Sequence, residues 1–213
     1  MSCVICEHVK KQNDGFLAEL EAFAHQENIP IIQHEVVAYF RFLLQTLQPK
    51  NILEIGTAIG FSALLMAENA PEAKITTLDR NPEMIAFAKE NFAKYDTRKQ
   101  ITLVEAMLLI LFQPLKVSMT LSSWILQNQN TSSFCQKFLK HLKVGGVVIF
   151  DDVFQGGDIV KPIEEVRRGQ RTIYRGLQRL FDATLDNPNL TASLLPLSDG
   201  LLMLCKNAED VEL

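Results

Sequence analysis

The run Asn51-Ile52-Leu53-Glu54-Ile55-Gly56-Thr57-Ala58-Ile59-Gly60-Phe61-Ser62 constrains the fold more than any other stretch of this chain. A short buried-strand pattern, carried by Ile52, Leu53 and Ile55, stops at Gly56, and a helix is expected to begin near Ser62. Glycines at 56 and 60 let the backbone turn sharply and approach a ligand that a Cβ would repel. The spacing E-x-G-x-x-x-G is neither the G-x-G-x-x-G of dinucleotide sites nor a phosphate loop, which needs a lysine after its last glycine. A carboxylate just before the turn suits a neutral or cationic ligand better than a pyrophosphate.

Around this unit, strands and helices alternate. Residues 16–27 and 34–48 show helical spacing of apolar side chains, joined by an extended link through Pro30. Strands are expected at 51–55, 74–79 and 101–104, with helices at 61–70 and 82–95, the latter capped by Asn81 with Pro82 in its first turn. Further on come a helix around 138–142 closed by Lys143-Val144-Gly145-Gly146, and a strand 147–150 running into Asp151-Asp152. A long helix is expected over 162–185, and a terminal antiparallel hairpin over 190–197 and 201–205 around Ser198-Asp199-Gly200. The fold class that follows is α/β, Rossmann-like and doubly wound, with a mainly parallel seven-stranded sheet and a terminal antiparallel hairpin.

One segment breaks the pattern. From 107 to 136 an apolar opening gives way to an uncharged Ser/Thr/Gln/Asn-rich stretch, where such a fold needs its fourth strand and usually a carboxylate at that strand's end. A base lost near Ala106 and regained near Gln136 accounts for this. With synonymous codons chosen to suit, the neighbouring frame restores an acidic turn, a strand F-I-F-M-D and a following helix. The chain as it stands is therefore expected to lack a fourth strand, with 107–136 its least ordered part.

Composition narrows the function. A chain of 213 residues with 47% apolar content makes one domain with a substantial core, and a net charge of −4 is not that of a general nucleic-acid binder. No apolar run reaches the roughly 18 residues of a membrane span, so the expected location is the cytoplasm, with no membrane partner. Cysteines at 3, 6, 135 and 205 make no disulfide framework, and Cys3, Cys6 and His8 lack the second ligand pair of a zinc site. The N-terminus is expected to be loose. His34 and His141 read as structural or surface residues.

S-adenosylmethionine, a sulfonium with a ribose, meets the demand set by the glycine turn. With Leu53–Ser62, Leu78-Asp79-Arg80-Asn81 and Phe150-Asp151-Asp152-Val153, the chain resembles the class I S-adenosylmethionine-dependent O-methyltransferases. Within them it is similar to the metal-dependent catechol and caffeoyl-CoA type, and most to bacterial enzymes that methylate 5-hydroxyuridine at the tRNA wobble position. The resemblance implies cofactor contacts at Ile32, Glu54, Gly56, Ser62, Asp79, Ala106 and Met107, with Asp79 accepting both ribose hydroxyls. It implies that Asp151 and Asp152 are the catalytic metal ligands, for Mg²⁺ or another divalent cation. The third ligand would fall at Ile125, which cannot coordinate a hard cation. The acceptor would be a hydroxyl, in the tRNA anticodon loop, with Arg167, Arg168, Arg171, Arg175 and Arg179 as phosphate contacts. The assembly expected is a homodimer. Two other readings stand beside this one: a catechol-like small-molecule O-methyltransferase, and a cofactor-binding protein without catalysis. A nicotinamide dehydrogenase is disfavoured by the absent G-x-G-x-x-G.

Overall fold

The computed structural model describes residues 13–105, 117–122 and 131–213, with the backbone alone for 117–122 and Thr131. In chain order the elements are α1 (Gly15–Gln26), α2 (His34–Leu47), β1 (Asn51–Ile55), α3 (Phe61–Asn69), β2 (Lys74–Leu78), α4 (Pro82–Tyr95) and β3 (Ile101–Val104). There follow β4 (Val117–Ser122), α5 (Thr131–His141), β5 (Leu142–Phe150), α6 (Arg171–Thr184), β6 (Leu190–Leu195) and β7 (Leu201–Lys206). The hydrogen-bonded neighbours are β3-β2 in one part of the chain and β1-β4-β5-β7-β6 in the other. The described residues divide into two compact units, one within 1–50 and 57–107, the other within 51–56 and 108–213.

In the first unit, β2 and β3 pair in parallel, Ile75 opposite Ile101 and Leu78 opposite Val104. Apolar residues spaced by three and four positions give each helix one buried face: Leu17, Leu20 and Ala24 on α1, and Val36, Val37, Phe40, Leu43 and Leu44 on α2. α3 is buried almost all round, from Phe61 through Ala67. α4 starts where the sequence signals it, with Asn81 accepting the Glu83 N–H at 3.0 Å and Pro82 filling a position whose N–H would have no partner. Asn13 joins the first two helices, donating to Glu21 at 2.9 Å and accepting from Arg41 at 2.8 Å.

In the second unit, β1, β4 and β5 run parallel, then β5 pairs antiparallel with β7 and β7 with β6. Lys206 is buried on β7, and its Nζ donates to the carbonyls of Leu139 (2.6 Å) and Leu142 (3.0 Å), which tie the α5–β5 junction to the hairpin.

Three expectations are corrected. The fourth strand forms after all: β4 lies between β1 and β5, with Leu53 opposite Thr120 and Thr120 opposite Val148. Its sequence Val117-Ser118-Met119-Thr120-Leu121-Ser122 alternates apolar and polar residues with period two, and two flanking strands with unpaired backbone groups demand a neighbour. Residues 131–136 of that anomalous segment open α5, and its other residues, Ile125 included, lie outside the described residues, as do Cys3, Cys6 and His8. Residues 143–146 do not close a helix; they belong to β5, which begins at Leu142 and takes up a register shift against β4 between Val117 and Met119. The helix expected from 162 begins only at Arg171. Pro162 holds Lys161 extended, at φ −85° and ψ 154°, and Arg171 itself stabilises the irregular segment by donating to the Val166 and Glu164 carbonyls at 2.9 Å each.

No helix among the described residues is long and apolar enough to cross a membrane.

Candidate functional site

The glycine turn is built in the first unit on the end of β2. Thr57 donates its N–H to the Leu78 carbonyl at 3.3 Å, and its hydroxyl meets that of Thr77 at 2.6 Å, both side chains buried. Gly60 sits at φ +85°, and a Cβ there would lie 2.5 Å from the Phe92 ring, so this turn requires glycine on both backbone and packing grounds. Asn91 holds the turn from α4, donating to the Ile59 carbonyl at 2.8 Å.

Asp79 follows β2 directly and serves as the anchor of this turn. One oxygen accepts the Ala58 N–H at 2.9 Å; the other accepts the N–H groups of Arg80 at 2.7 Å and Asn81 at 2.9 Å. A carboxylate offers about four lone-pair directions. Three are taken by described residues, which leaves one among them, on the oxygen facing Ala58. Asp79 is thus pre-aligned to accept one further hydroxyl without disturbing its own turn; accepting two would release a backbone N–H.

The second unit carries the acidic pair. β5 ends at Phe150, and Asp151 follows with its side chain buried, accepting the Asp152 N–H at 2.9 Å. Asp152 is exposed and adopts φ +59°, a left-handed backbone that Asp tolerates better than most residues. Burial, helped by the neighbouring Asp152 and Asp199 charges, pushes the Asp151 carboxyl from 3.8 up to about 7; the bond from the Asp152 N–H opposes this. Partial desolvation of its carboxyl, and then the Asp199 charge, raise Asp152 as well, although the residue as a whole is exposed.

Glu54 lies buried on β1, opposite Leu121 of β4. Gly56, next in the turn, has φ +98°. Ser62 stands in the first turn of α3, half-buried. Ile32 lines a cleft of about 350 Å³ in the first unit, with Glu21, His25 and His34 among its walls. His34 has a structural partner there, its Nδ1 lying 2.7 Å from Glu21. Ala106 and Met107 lie outside the described residues. Of the five arginines, Arg171 is engaged with backbone carbonyls, whereas Arg167, Arg168, Arg175 and Arg179 are exposed.

Sequence reasoning missed Asp199, read only as part of a hairpin turn, and the Thr57–Thr77 pair. Asp199 carried a signal, a Ser-Asp-Gly turn, but nothing local pointed from it to a partner 43 residues away.

The donor chemistry of Asp151 and Asp152 suits a hard cation. A buried carboxylate that resists ionisation beside a second carboxylate gains most from a positive charge, and Mg²⁺ is commonly held by one or two carboxylates plus water and substrate. Among the described residues no group of three His, Cys, Asp or Glu side chains is arranged to hold a metal. The turn and Asp79 suit a ligand with a hydroxyl donor approaching backbone closely.

Comparison with known proteins identifies the fold and the family. The chain superimposes on a caffeoyl-CoA O-methyltransferase structure from Staphylococcus aureus, described as putative, with a TM-score of 0.84 and 29% identity over 95% of this chain and 97% of that one. A methyltransferase from Podospora anserina solved with S-adenosylhomocysteine gives 0.81 at 21% identity, covering 96% and 94%. These neighbours define the class, a Rossmann-like α/β methyltransferase fold. By sequence, a probable caffeoyl-CoA O-methyltransferase of Dictyostelium discoideum is 28% identical over 196 residues, 85% of this chain and 79% of its own. One from Populus trichocarpa is 26% identical over 195 residues, 88% and 78% of the two chains. A family model described as O-methyltransferase matches residues 7–208, and the chain belongs to that family. It is an S-adenosylmethionine-dependent O-methyltransferase of the caffeoyl-CoA type.

Proposed function

We propose that this enzyme methylates a hydroxyl with the help of a divalent cation, Mg²⁺ or a similar ion, held at Asp151 and Asp152, and that its acceptor is a wobble 5-hydroxyuridine in the tRNA anticodon loop. The observation that carries the cation is the pair of adjacent carboxylates at the end of β5, Asp151 buried and accepting the Asp152 N–H at 2.9 Å. A bound cation would supply charge to make the acceptor hydroxyl more acidic. The protein's own part is then alignment. The Asp79-anchored turn would present the ribose of S-adenosylmethionine to the free lone pair of Asp79, with Ile32, Glu54, Gly56, Ser62, Ala106 and Met107 as the further contacts. Methyl passes from sulfonium sulfur to hydroxyl oxygen, and the hydroxyl proton leaves to solvent. The exposed Arg167, Arg168, Arg175 and Arg179 support an acceptor bearing phosphates.

A second acceptor reading, a catechol-like small molecule, is supported by the names of the relatives, caffeoyl-CoA O-methyltransferases. Both acceptors set a hydroxyl beside a second oxygen. The expected setting is a cytoplasmic homodimer. The deciding assay is methyl transfer from labelled S-adenosylmethionine to tRNA carrying 5-hydroxyuridine and, separately, to caffeoyl-CoA, each with Mg²⁺ and with chelator. Label in tRNA that chelator abolishes supports the proposal; label only in caffeoyl-CoA moves the acceptor to the second reading, and chelator-resistant turnover removes the cation.

A further inference from the structure

The turn between β6 and β7 is fastened to the chain that follows the acidic pair. Asp199 accepts the Gly156 N–H on both carboxylate oxygens, at 2.7 and 2.9 Å, and its main-chain carbonyl accepts the Phe154 N–H at 2.8 Å. The next carbonyl, of Gly200, accepts the Val153 N–H at 3.1 Å. Gly200 itself lies at φ +88°, and a Cβ there would sit 2.5 Å from the Phe154 ring, so the turn can close on Phe154 only as glycine. Residues 153–156 are thereby pinned, and they begin one residue after Asp152.

Asp152 needs such an anchor. Its backbone is in the left-handed region, at φ +59°, a state other residues relax from unless their surroundings hold it. On its C-terminal side, Gln155 donates to the Asp152 carbonyl at 3.1 Å, and the adjacent Gly156 is the residue locked by Asp199. We propose that Asp199 is a positioning residue: by locking Gly156 it fixes the backbone of Asp152, and so the direction in which the Asp151–Asp152 pair offers its oxygens to a divalent cation. This rests on the cation reading above. Asp199 acts through the loop, as residues behind metal ligands commonly do.

The test compares Asp199→Asn, which keeps an oxygen for the Gly156 N–H and drops the charge, with Asp199→Ala, which removes both. The readouts on the full chain are amide exchange at Gly156, Mn²⁺ affinity by paramagnetic resonance titration, and S-adenosylmethionine affinity by calorimetry. In the alanine variant Gly156 should lose protection and Mn²⁺ should bind about tenfold or more weakly. S-adenosylmethionine affinity should be unchanged, and the asparagine variant should regain most of both losses. Should Asp199→Ala fail to fold, Asp199→Ser, with one short acceptor, is read the same way. Wild-type Mn²⁺ affinity in the variant that lacks Gly156 protection overturns the proposal alone. An asparagine variant as weak as alanine, with Gly156 still protected, shows a charge effect and overturns it too. A wild-type chain that binds no Mn²⁺ overturns the cation reading and the proposal together.

Discussion

Neutralising Asp151 should stabilise the unliganded enzyme above neutral pH. The carboxyl is only 5% exposed, and its pKa stands at about 7 against 3.8 for a free aspartate. That is a rise of about 3 units, which at 1.36 kcal/mol per unit sets an upper bound of about 4 kcal/mol. The sign follows from the direction of the shift. The folded state holds the proton more tightly than the unfolded state, so the stabilisation is complete below about pH 4 and is lost as pH rises through about 7. Asp151→Asn stays neutral at every pH and keeps an oxygen for the Asp152 N–H, a bond of 2.9 Å. Allowing for water entry and relaxation around the charge, the variant should be more stable than wild type by about 2–4 kcal/mol at pH 8, and nearly equal to it at pH 4. For a chain of this size that is a rise in Tm of roughly 5–15 °C at pH 8. Thermal or urea unfolding of both proteins in chelator, at pH 4.5, 6 and 8, measures the difference directly, and titrating groups that do not interact with Asp151 cancel in it. A pH-independent difference, or a variant less stable at pH 8, would refute the burial argument.

Asp79→Ala should weaken S-adenosylmethionine binding by on the order of 1–3 kcal/mol, through the lost hydroxyl acceptor and the freed Ala58 N–H; an unchanged Kd in calorimetry takes Asp79 out of the site. Gly60→Ala should cost about 1–3 kcal/mol of stability, since the new methyl meets the Phe92 ring at a positive φ; urea unfolding reads this, and Gly60→Ala with Phe92→Leu should recover part of it. Backbone amides of β4 should show exchange protection comparable to those of β1 and β5; rapid exchange throughout Val117–Ser122 would mean that the sheet lacks its fourth strand.

What could be read from the sequence was whatever depends on neighbours in the chain. α4 and β3 fall on the expected residues, and α1, α2 and α3 within a residue at their ends, because helical spacing, an Asn81 cap and a proline are local instructions. The Asp79 bonds to Arg80 and Asn81 belong to the same class, an aspartate satisfying backbone just ahead of it. The misplaced elements have separate causes. β4 alternates in period two, but it ends on Ser122 with no carboxylate and lies in a segment of unusual composition, which masks the strand pattern. At the start of α6, Gly169 and the Arg171 side chain, which holds the Val166 and Glu164 carbonyls, favour an irregular backbone until Arg171.

The acidic site shows where local reading ends for a physical reason. That Asp151 and Asp152 close a parallel strand is visible from the apolar run before them, and a strand end is where such sheets bind ligands. Their ionisation is set by burial and by Asp199, a residue brought in by an antiparallel hairpin that pairs β7 with β5, Phe150 opposite Leu202. The register of that pairing decides the matter. Moving β7 by one residue along β5 would turn Leu202 and Leu204 to the opposite face and carry the Asp199 turn away from Gly156. The burial of Leu201, Leu202 and Leu204, which holds the hairpin in register, therefore also holds the third carboxylate against the loop behind the first two. A packing constraint in the core is thus what sets the electrostatics of the site.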